Sequence, residues 1–325
     1  MDRRQPTAGV GACVRDAALA AGCTRCVSAC PVTALAFGVE GDLEIDASAC
    51  TGCGACAAIC PTGALTLTGA VPIPRAEPAR DGTVLLVCPR RAGALCIHAL
   101  GLEALADIWL RGGRRLALSI GECAHCPNGA ADVFDSALAT LNDLLADRGL
   151  APLVADTATV RELRRLDPLG ANAPDLRRRA LFRAALPEPD GPALTRLQRA
   201  GRPHPGIRFA HGAGIDGDRC TGCNACVQIC PSGAMIDVNA TTGESEYGCN
   251  SSCCLGCGLC ADVCDTDAIT ILSMKPRQAP LPLARFRCRG CGVESRIPTH
   301  RKSSDELCPV CARTGHFRRL YQVLP

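Results

Sequence analysis

The chain has 325 residues, a formal net charge of +3 at pH 7, and few aromatic residues: six Phe, two Tyr and one Trp. This length allows several small domains, and the charge excludes a strong overall field that would attract nucleic acid or an acidic partner. An even cysteine count, here 26, indicates disulfides or metal ligands. We see no signal peptide and no apolar run near the ~20 residues of a transmembrane helix, so we expect a cytoplasmic protein whose cysteines bind metal.

Cysteine groups, glycine and proline breaks and hydrophobic runs divide the sequence into five predicted parts. In chain order they are a first cysteine-rich module (1–72), a small α/β domain with four cysteines (73–150), an Arg/Pro-rich linker (151–210), a second cysteine-rich module (211–277) and a C-terminal cysteine ribbon (278–325). The predicted fold class is α+β.

The two modules share one motif. The first contains CTGCGACAAICPTGAL, starting at Cys50, and the second contains CTGCNACVQICPSGAM, starting at Cys220; eleven of the sixteen positions are identical. The spacing C-x2-C-x2-C-x3-C-P lets three thiolates wrap one face of a [4Fe–4S] cluster while the fourth points toward a different cluster. Gly52 and Gly54 permit the tight turns, and Pro61 suits the first turn of a helix.

Both modules resemble the bacterial two-cluster ferredoxins, over roughly residues 10–70 and 212–275, and their repetition resembles a polyferredoxin. In that family the fourth cysteine of each motif binds the cluster of the other motif. The resemblance therefore implies four [4Fe–4S] clusters. Their ligand sets would be Cys50, Cys53, Cys56 and Cys30; Cys13, Cys23, Cys26 and Cys60; Cys220, Cys223, Cys226 and Cys264; and Cys254, Cys257, Cys260 and Cys230.

The residues between the motifs agree with this fold. Residues 34–46 and 234–248 each predict a β-hairpin, and ALTLT and AITIL, after the last cysteines, predict closing strands. Cys264 is followed by Asp265 in place of proline, which changes only the start of the helix.

Two departures leave ligands open. Nine residues, in place of two, separate Cys13 from Cys23. Either Cys13 binds across an inserted loop, which we favour, or its cluster lacks a fourth thiolate and is [3Fe–4S] or labile. Cys249 and Cys253 exceed the eight ligands that the two clusters of the second module need. Either both are spare thiols, or Cys249 replaces Cys254 as a ligand. We favour Cys254 as the ligand because its spacing is regular.

The segment 73–150 alternates strand and helix patterns. The elements are TVLLVC (83–88), LEALADIWLRGG (102–113), RRLALSIGEC (114–123) and ADVFDSALATLNDLLADRG (131–149). This β-α-β-α order predicts parallel strands whose C-terminal ends share one sheet edge, where open α/β sheets place their sites. Cys88, Cys123 and Cys126 would lie at that edge, and Cys96 would complete a four-ligand site.

The strand-then-cysteine arrangement of this segment resembles the small iron–sulfur subunit associated with methyl-viologen-reducing hydrogenases and heterodisulfide reductases, which implies a cluster in an α/β fold. Two interpretations stay open, because the cysteine spacing is irregular: the four cysteines bind a metal or cluster, or they are reduced, unliganded thiols. His98 and His125 are interpreted as local hydrogen-bond partners, not as ligands.

The last segment holds two C-x2-C knuckles, Cys288/Cys291 and Cys308/Cys311, separated by 16 residues. This is zinc-ribbon spacing, in which four thiolates form a closed tetrahedral site. CxxCG followed by CPxC also resembles rubredoxin, which binds one redox-active iron, but the polar stretch between the knuckles favours zinc. The segment is also basic, which indicates a solvated face or a docking surface for an acidic partner or nucleic acid. Its basic residues include Arg285, Arg287, Arg289, Arg296, Arg301, Lys302, Arg318 and Arg319.

These observations predict an iron–sulfur protein that relays electrons through about four [4Fe–4S] clusters as a subunit or partner of a larger oxidoreductase. We identify no catalytic residues and favour a non-catalytic subunit of a hetero-oligomer, with no membrane span and without nucleic acid. The ribbon would hold one zinc or iron, and the central domain one further cluster or metal if its cysteines bind. The alternatives are a thiol/disulfide redox enzyme that uses the central cysteines, and a redox-sensing nucleic-acid binder that uses the basic ribbon.

Overall fold

The structure is a computed structural model. It describes residues 6–9, 11–39, 41–67, 78–88, 96–126, 133–166, 191–201, 204–239 and 245–315. The middle of the predicted Arg/Pro-rich linker, the tip of the hairpin predicted at 234–248, and Arg318 and Arg319 lie outside these residues. No helix within the described ranges is both long enough and apolar enough to cross a membrane.

The chain divides into two compact units. One unit comprises Met1–Asp16 and Thr24–Ile207, and the other comprises Ala17–Cys23 and Arg208–Pro325.

The first unit begins with short elements around the first cysteine motif. The strands are β1 (Pro6–Ala8), β2 (Leu35–Phe37), β3 (Leu43–Ile45) and β4 (Leu65–Leu67), and the helices are α1 (Val14–Ala17), α2 (Arg25–Ser28) and α3 (Ala55–Ile59). β2 and β3 form the hairpin predicted at 34–46, and β1 pairs antiparallel with β4. Leu35, Cys56 and Leu65 pack together as a small core beneath these strands.

An α/β fold follows in the same unit. Its elements are β5 (Thr83–Val87), α4 (Leu102–Leu110), β6 (Arg115–Ser119), α5 (Val133–Asp147), β7 (Val154–Thr157), α6 (Val160–Leu166) and α7 (Ala193–Arg199), with 3-10 turns at Ile97–Ala99 and Cys123–His125. The strands are parallel in the order β5-β6-β7, which agrees with the predicted β-α-β-α order. The predicted crossover helices therefore position the cysteines that follow β5 and β6 at one edge of the sheet.

The sheet extends past the boundary predicted at residue 150. β7 lies beside β6 within the predicted linker, and Arg115 on β6 binds the carboxylates of Asp156 and Glu162. Helix α7 also belongs to this unit, because Glu103 on α4 accepts the backbone N–H groups of Ala193 and Leu194. β7 is short and largely exposed, so its sequence carries no hydrophobic run that would predict a strand.

The second unit combines the second cysteine module with the ribbon. Its strands are β8 (Arg208–Ile215), β9 (Met235–Asn239), β10 (Ser245–Cys249), β11 (Ile269–Pro276), β12 (Leu281–Arg287) and β13 (Glu294–Pro298), and its helices are α8 (Ala225–Gln228), α9 (Leu259–Asp262) and α10 (Pro309–Thr314), with a 3-10 turn at Thr299–Arg301. β8 and β11 pair antiparallel. In the described part of the chain, four strands form a second antiparallel sheet in the order β13-β12-β10-β9.

The ribbon strands therefore continue the hairpin of the second module. Tyr247 on β10 lies opposite Leu281 on β12, and Tyr247 and Leu283 share a core with Cys220 and Ala268. The boundary predicted between residues 277 and 278 thus separates two halves of one sheet, because the apolar face of β12 is buried against the cysteine module.

Candidate iron–sulfur and metal centres

The same turn follows the fourth cysteine of every motif. Three residues beyond that cysteine the backbone is left-handed, at Thr33 (φ 49°), Gly63 (φ 66°), Gly233 (φ 62°) and Asp267 (φ 48°). The turn directs a backbone N–H group to sulfur: Ala34 donates to Cys30 Sγ, and Ala268 donates to Cys264 Sγ, both at 3.2 Å. Because N–H···S bonds favour the thiolate, these turns prepare the cysteines as ligands.

A cavity lies at the motif that starts at Cys50. Three cysteines of that motif, Cys50, Cys53 and Cys56, line it together with Cys30 of the other motif. The Thr51 hydroxyl also lines the cavity, and it is buried without a hydrogen-bond partner among the described residues. An unpaired buried hydroxyl costs free energy, and the sulfide of a cluster is a group that would accept its hydrogen bond. The four thiols and this donor fit a [4Fe–4S] cluster.

A cavity in the second unit repeats the arrangement. It is lined by Cys220, Cys223 and Cys226 of one motif and by Cys264 of the other. The side chain of Asn224 also lines it, and its carbonyl oxygen is buried without a partner within the described ranges. The structure thus brings together, for a second time, the four thiols of one implied ligand set.

The thiols of a third set lie close together in the second unit. Cys260 is buried, and burial, followed by the neighbouring thiols of Cys254, Cys257 and Cys230, raises its pKa to about 12. Cys249, one of the two surplus thiols, is 8% exposed and hydrogen-bonded to the thiol of Cys254. Both candidates for the open ligand position therefore lie next to the same set.

Cys253, the other surplus cysteine, packs partly buried against the same core. Its Sγ lies 3.4 Å from the carbonyl oxygen of Asn250, to which it donates. We interpret this contact as a local hydrogen bond.

The remaining ligand set differs from the other three; it comprises Cys13, Cys23, Cys26 and Cys60. Cys26 interacts electrostatically with Cys56, and Cys60 Sγ lies 3.7 Å from the Thr62 hydroxyl. Cys13 precedes α1 in the first unit, whereas Cys23 falls in the segment grouped with the second unit. The assignment of Cys13 therefore stays a prediction.

Backbone conformation marks the same difference. In three motifs the residue after the second cysteine is left-handed, with φ of 92° at Gly54, 69° at Asn224 and 86° at Gly258. The corresponding residue of the fourth motif is Thr24, whose φ is −126°. This loop therefore takes another backbone path, in the same motif whose cysteine spacing is irregular.

Burial dominates the chemistry of the thiols that face the cavities. It is the main cause that raises the pKa of Cys56 and of Cys226 to about 12. Such thiols stay protonated at neutral pH in the absence of a cation, so metal binding must release their protons. Buried thiols that carry no charge by themselves are well suited to bind iron, whose positive charge compensates the thiolates.

Comparison with known families supports this interpretation of the two cavities. Residues 21–64 and 219–268 each match the 4Fe-4S dicluster domain. The chain thus contains two 4Fe-4S dicluster domains, which imply iron–sulfur clusters and support an iron–sulfur electron-transfer protein. No curated protein matches the chain as a whole.

The ribbon forms a compact group of four thiols. The sulfur atoms of Cys288, Cys291, Cys308 and Cys311 all lie within 4.8 Å of one another. Backbone N–H groups point at them: that of Cys308 donates to Cys288 Sγ at 3.2 Å, which is the main cause that lowers the pKa of Cys288 to about 6. Tetrahedral zinc bound at about 2.3 Å places its sulfurs about 3.8 Å apart, so the group fits a single metal ion.

The central cysteines gather at the predicted edge of the parallel sheet. Cys88 follows β5, and its backbone N–H donates to the carbonyl oxygen of Ser119 on β6. Cys96 interacts electrostatically with Cys126 and Cys88, as does Cys123. Unlike the ribbon thiols, these four sulfurs, all within the described residues, do not lie mutually within 4.8 Å. Both interpretations of the central site therefore stay open.

His98 and the first cysteine module both contact this edge. The Nε2 atom of His98 lies 3.3 Å from Cys123 Sγ, in agreement with a hydrogen-bonding role. The backbone N–H of Cys96 donates to the carbonyl oxygen of Cys53 at 3.3 Å, and Cys96 and Ala55 share a buried core. Sequence alone did not indicate this contact, because the two cysteines are 43 residues apart and in different predicted domains.

Internal contacts occupy much of the ribbon's positive charge. Arg285 and Arg296 pair with Asp237, and Arg289 pairs with Glu306. Arg287 and Arg301 donate to backbone carbonyl groups. These contacts engage the five arginines within the second unit.

Proposed function

We propose that this chain is a multi-cluster electron carrier that works as a subunit or partner of a larger oxidoreductase. The observation that supports it best is the pair of cavities, each lined by three cysteines of one motif and one cysteine of another. Crossed ligation of this kind places clusters side by side. Several clusters in one chain suit the movement of electrons over a distance better than a purely structural role.

We propose four [4Fe–4S] clusters, bound by the four crossed ligand sets given above. A bound cluster supplies reversible one-electron chemistry. The chain's own residues exclude water from the buried thiols, supply the N–H···S bonds of the turns after the fourth cysteines, and hold the ligands in fixed positions. Hydrogen bonds and burial of this kind set the potential of each cluster.

Serine substitutions of two cysteines of the second module, one inside and one outside the proposed ligand sets, test this assignment. Cys223→Ser removes a proposed ligand, whereas Cys253→Ser removes a thiol outside the proposed sets. We expect Cys223→Ser to lose or convert one cluster, a fall of up to about four irons per chain, and Cys253→Ser to retain the wild-type iron content and EPR spectrum. Equal iron contents in the two variants would contradict the ligand set.

We also propose that the ribbon holds one structural metal ion, for which zinc is favoured. The site is closed by four thiols, three of which are buried, and a closed tetrathiolate site leaves no position open for chemistry. Metal analysis of the purified chain decides between the two metals: zinc supports our assignment, and an extra iron with a rubredoxin-type ferric EPR signal contradicts it.

A second candidate function concerns the central cysteines. The backbone contact between Cys96 and Cys53 brings the central cysteines beside a proposed cluster ligand, so electrons from that cluster would reach them. In this proposal two central thiols reduce a disulfide substrate to two thiols and become a disulfide themselves. Two one-electron transfers from the cluster, which a reduced electron donor recharges, and two protons from solvent then restore the central thiols. Disulfide turnover that Cys123→Ser abolishes, with iron content unchanged, would support it; wild-type turnover in Cys123→Ser, or none in the wild type, would contradict it.

A further inference from the structure

The ribbon lies directly on the loop that carries Cys220 and Cys223. The φ angle of Gly222 in that loop is 73°, and a methyl group there would lie 2.2 Å from the carbonyl oxygen of Arg296 on β13. Only a residue without a side chain fits so close to a neighbouring backbone. The loop and β13 therefore form one packed structure.

Two side chains tie the loop in place. Arg301, at the end of the ribbon's 3-10 turn, donates from Nη1 to the carbonyl oxygen of Cys220 at 2.7 Å. The Tyr247 hydroxyl donates to the carbonyl oxygen of Gly222 at 3.1 Å, and its ring is 1% exposed. Arg301, from the 3-10 turn, holds the loop at Cys220, and Tyr247, from β10, holds it at Gly222.

Charged contacts fix the ribbon against the module. Asp237 on β9 binds Arg296 and also lies 3.8 Å from Arg285. His300 Nε2 lies 3.0 Å from an oxygen of Asp218, just before the loop. These contacts join β12 and β13 to β9, and the 3-10 turn to the segment just before the loop.

The ribbon metal site closes the opposite end of the same hairpin. β12 runs directly into Cys288, and β13 begins three residues after Cys291. At the metal end of the hairpin Arg287 lies opposite Glu294, and at the loop end Leu283 lies opposite Pro298. One hairpin therefore connects the four ribbon thiols to the contacts of Arg296 and Arg301.

We propose that the ribbon holds the ligand loop of a single redox centre in place; we call this role the lock. The centre is the one assigned to Cys220, Cys223, Cys226 and Cys264. Arg301 is the positioning residue of the lock. This inference rests on the proposed function, because it requires a cluster at those cysteines. The filled ribbon site holds the hairpin, the hairpin presents Arg301, and Arg301 fixes the loop.

Arg301 also sets the potential of that centre. Its positive charge acts on Cys220, and a nearby cation favours the more negative, reduced form of a cluster. Removal of the charge should therefore lower the reduction potential of this cluster and leave the potentials of the others unchanged.

The test uses the full chain, purified without oxygen and titrated against potential with EPR detection. Arg301→Gln removes the charge, Arg301→Lys keeps it, and Arg289→Gln removes the same charge from an exposed ion pair elsewhere on the ribbon. We expect Arg301→Gln to shift one midpoint potential to a lower value, Arg301→Lys to restore most of the shift, and Arg289→Gln to leave all potentials in place. Unchanged potentials in Arg301→Gln, or an equal shift in Arg289→Gln, would overturn the role of Arg301.

Cys311→Ser tests the lock by opening the ribbon metal site. We expect this variant to lose its ribbon metal and, selectively, about four irons per chain, with the EPR signals of the first module retained. Loss of the metal with a full complement of iron would overturn the lock. If the wild-type chain holds no clusters, the proposed function itself fails, and that result is distinct from either outcome. Should Cys311→Ser not fold, Arg301→Gln, which removes the ribbon's hydrogen bond to the carbonyl oxygen of Cys220, must still accelerate loss of the same cluster, and an unchanged rate would overturn the lock.

Discussion

Gly222→Ala perturbs the contact between the cysteine loop and β13, and Gly233→Ala provides a matched control. Both glycines are left-handed, with φ of 73° and 62°. A methyl group at Gly222 would lie 2.2 Å from the carbonyl oxygen of Arg296, whereas one at Gly233 would meet no heavy atom within 4 Å. The two variants therefore share the backbone strain and differ in the clash.

The expected losses of folding free energy follow from the backbone strain and from the clash. A residue with a side chain costs about 1–2 kcal/mol in the left-handed region, which both variants bear. At Gly222 the loop or β13 must also move, and forced displacement of packed atoms costs about a further 1–3 kcal/mol. We therefore expect a loss of about 1–2 kcal/mol for Gly233→Ala and about 2–5 kcal/mol for Gly222→Ala.

Hydrogen–deuterium exchange of the intact chain measures this difference, because exchange reports local opening segment by segment. In Gly233→Ala the exchange of β13 should stay at the wild-type rate. In Gly222→Ala both the loop and β13 should exchange faster, by about 30-fold or more, since each 1.4 kcal/mol is a factor of ten. The reasoning is refuted if β13 exchanges at the wild-type rate in Gly222→Ala.

Two further predictions concern other parts of the chain. Cys254→Ser should lose or convert one cluster, whereas Cys249→Ser should keep the wild-type iron content and EPR spectrum, because we assign the ligand position to Cys254; the reverse result would move the ligand to Cys249. In the α/β fold, hydrogen bonds from Arg115 are the main cause that lowers the pKa of Glu162 to about 2. A depressed carboxyl pKa stabilises the folded state above the ordinary value near 4.5, and this stability is lost as pH falls through about 2. Glu162→Gln should therefore unfold more easily than wild type at pH 7 and equally easily near pH 2. The fluorescence of Trp109, the sole tryptophan, follows the unfolding. A difference in stability that persists near pH 2 would contradict the ion pair as its cause.

Local patterns were sufficient to predict the elements that depend on local sequence. The hairpin of β2 and β3, the strands β5 and β6 and the helices α4 and α5 lie where alternation, apolar runs and glycine stops placed them. The cysteine spacing and the family resemblance likewise predicted the two sets of four thiols that line the cavities, because the motif fixes the turns and the resemblance supplied the crossing between motifs. The ligand role of Cys13 stays a prediction.

Elements that depend on distant partners could not be predicted in this way. β7 is a strand because β6 lies beside it, and its own four residues, VADT, carry no strand pattern. The pairing of β10 with β12 joins two segments that the sequence presents as separate domains. One signal was available: the alternating apolar residues of LPLARF predict a half-buried strand, and the apolar side of that strand needs a covering surface.

The roles of Tyr247, Arg301 and Gly222 could not be predicted from sequence, because each depends on the fold. Gly222 occupies a motif position where any tight turn would explain a glycine, and only the structure shows Arg296 against it. Arg301 is one of several arginines in a basic segment, and its contact with Cys220 distinguishes it from the rest.

If the two dicluster domains bind iron–sulfur clusters that carry electrons, the anaerobically purified chain must contain iron. The most direct measurement is its iron content, together with EPR spin quantification after full reduction. We predict about 16 irons per chain from the four ligand sets, with magnetic interaction between neighbouring clusters. A chain purified without oxygen that is colourless and free of iron, with its cysteines joined as disulfides, would contradict it.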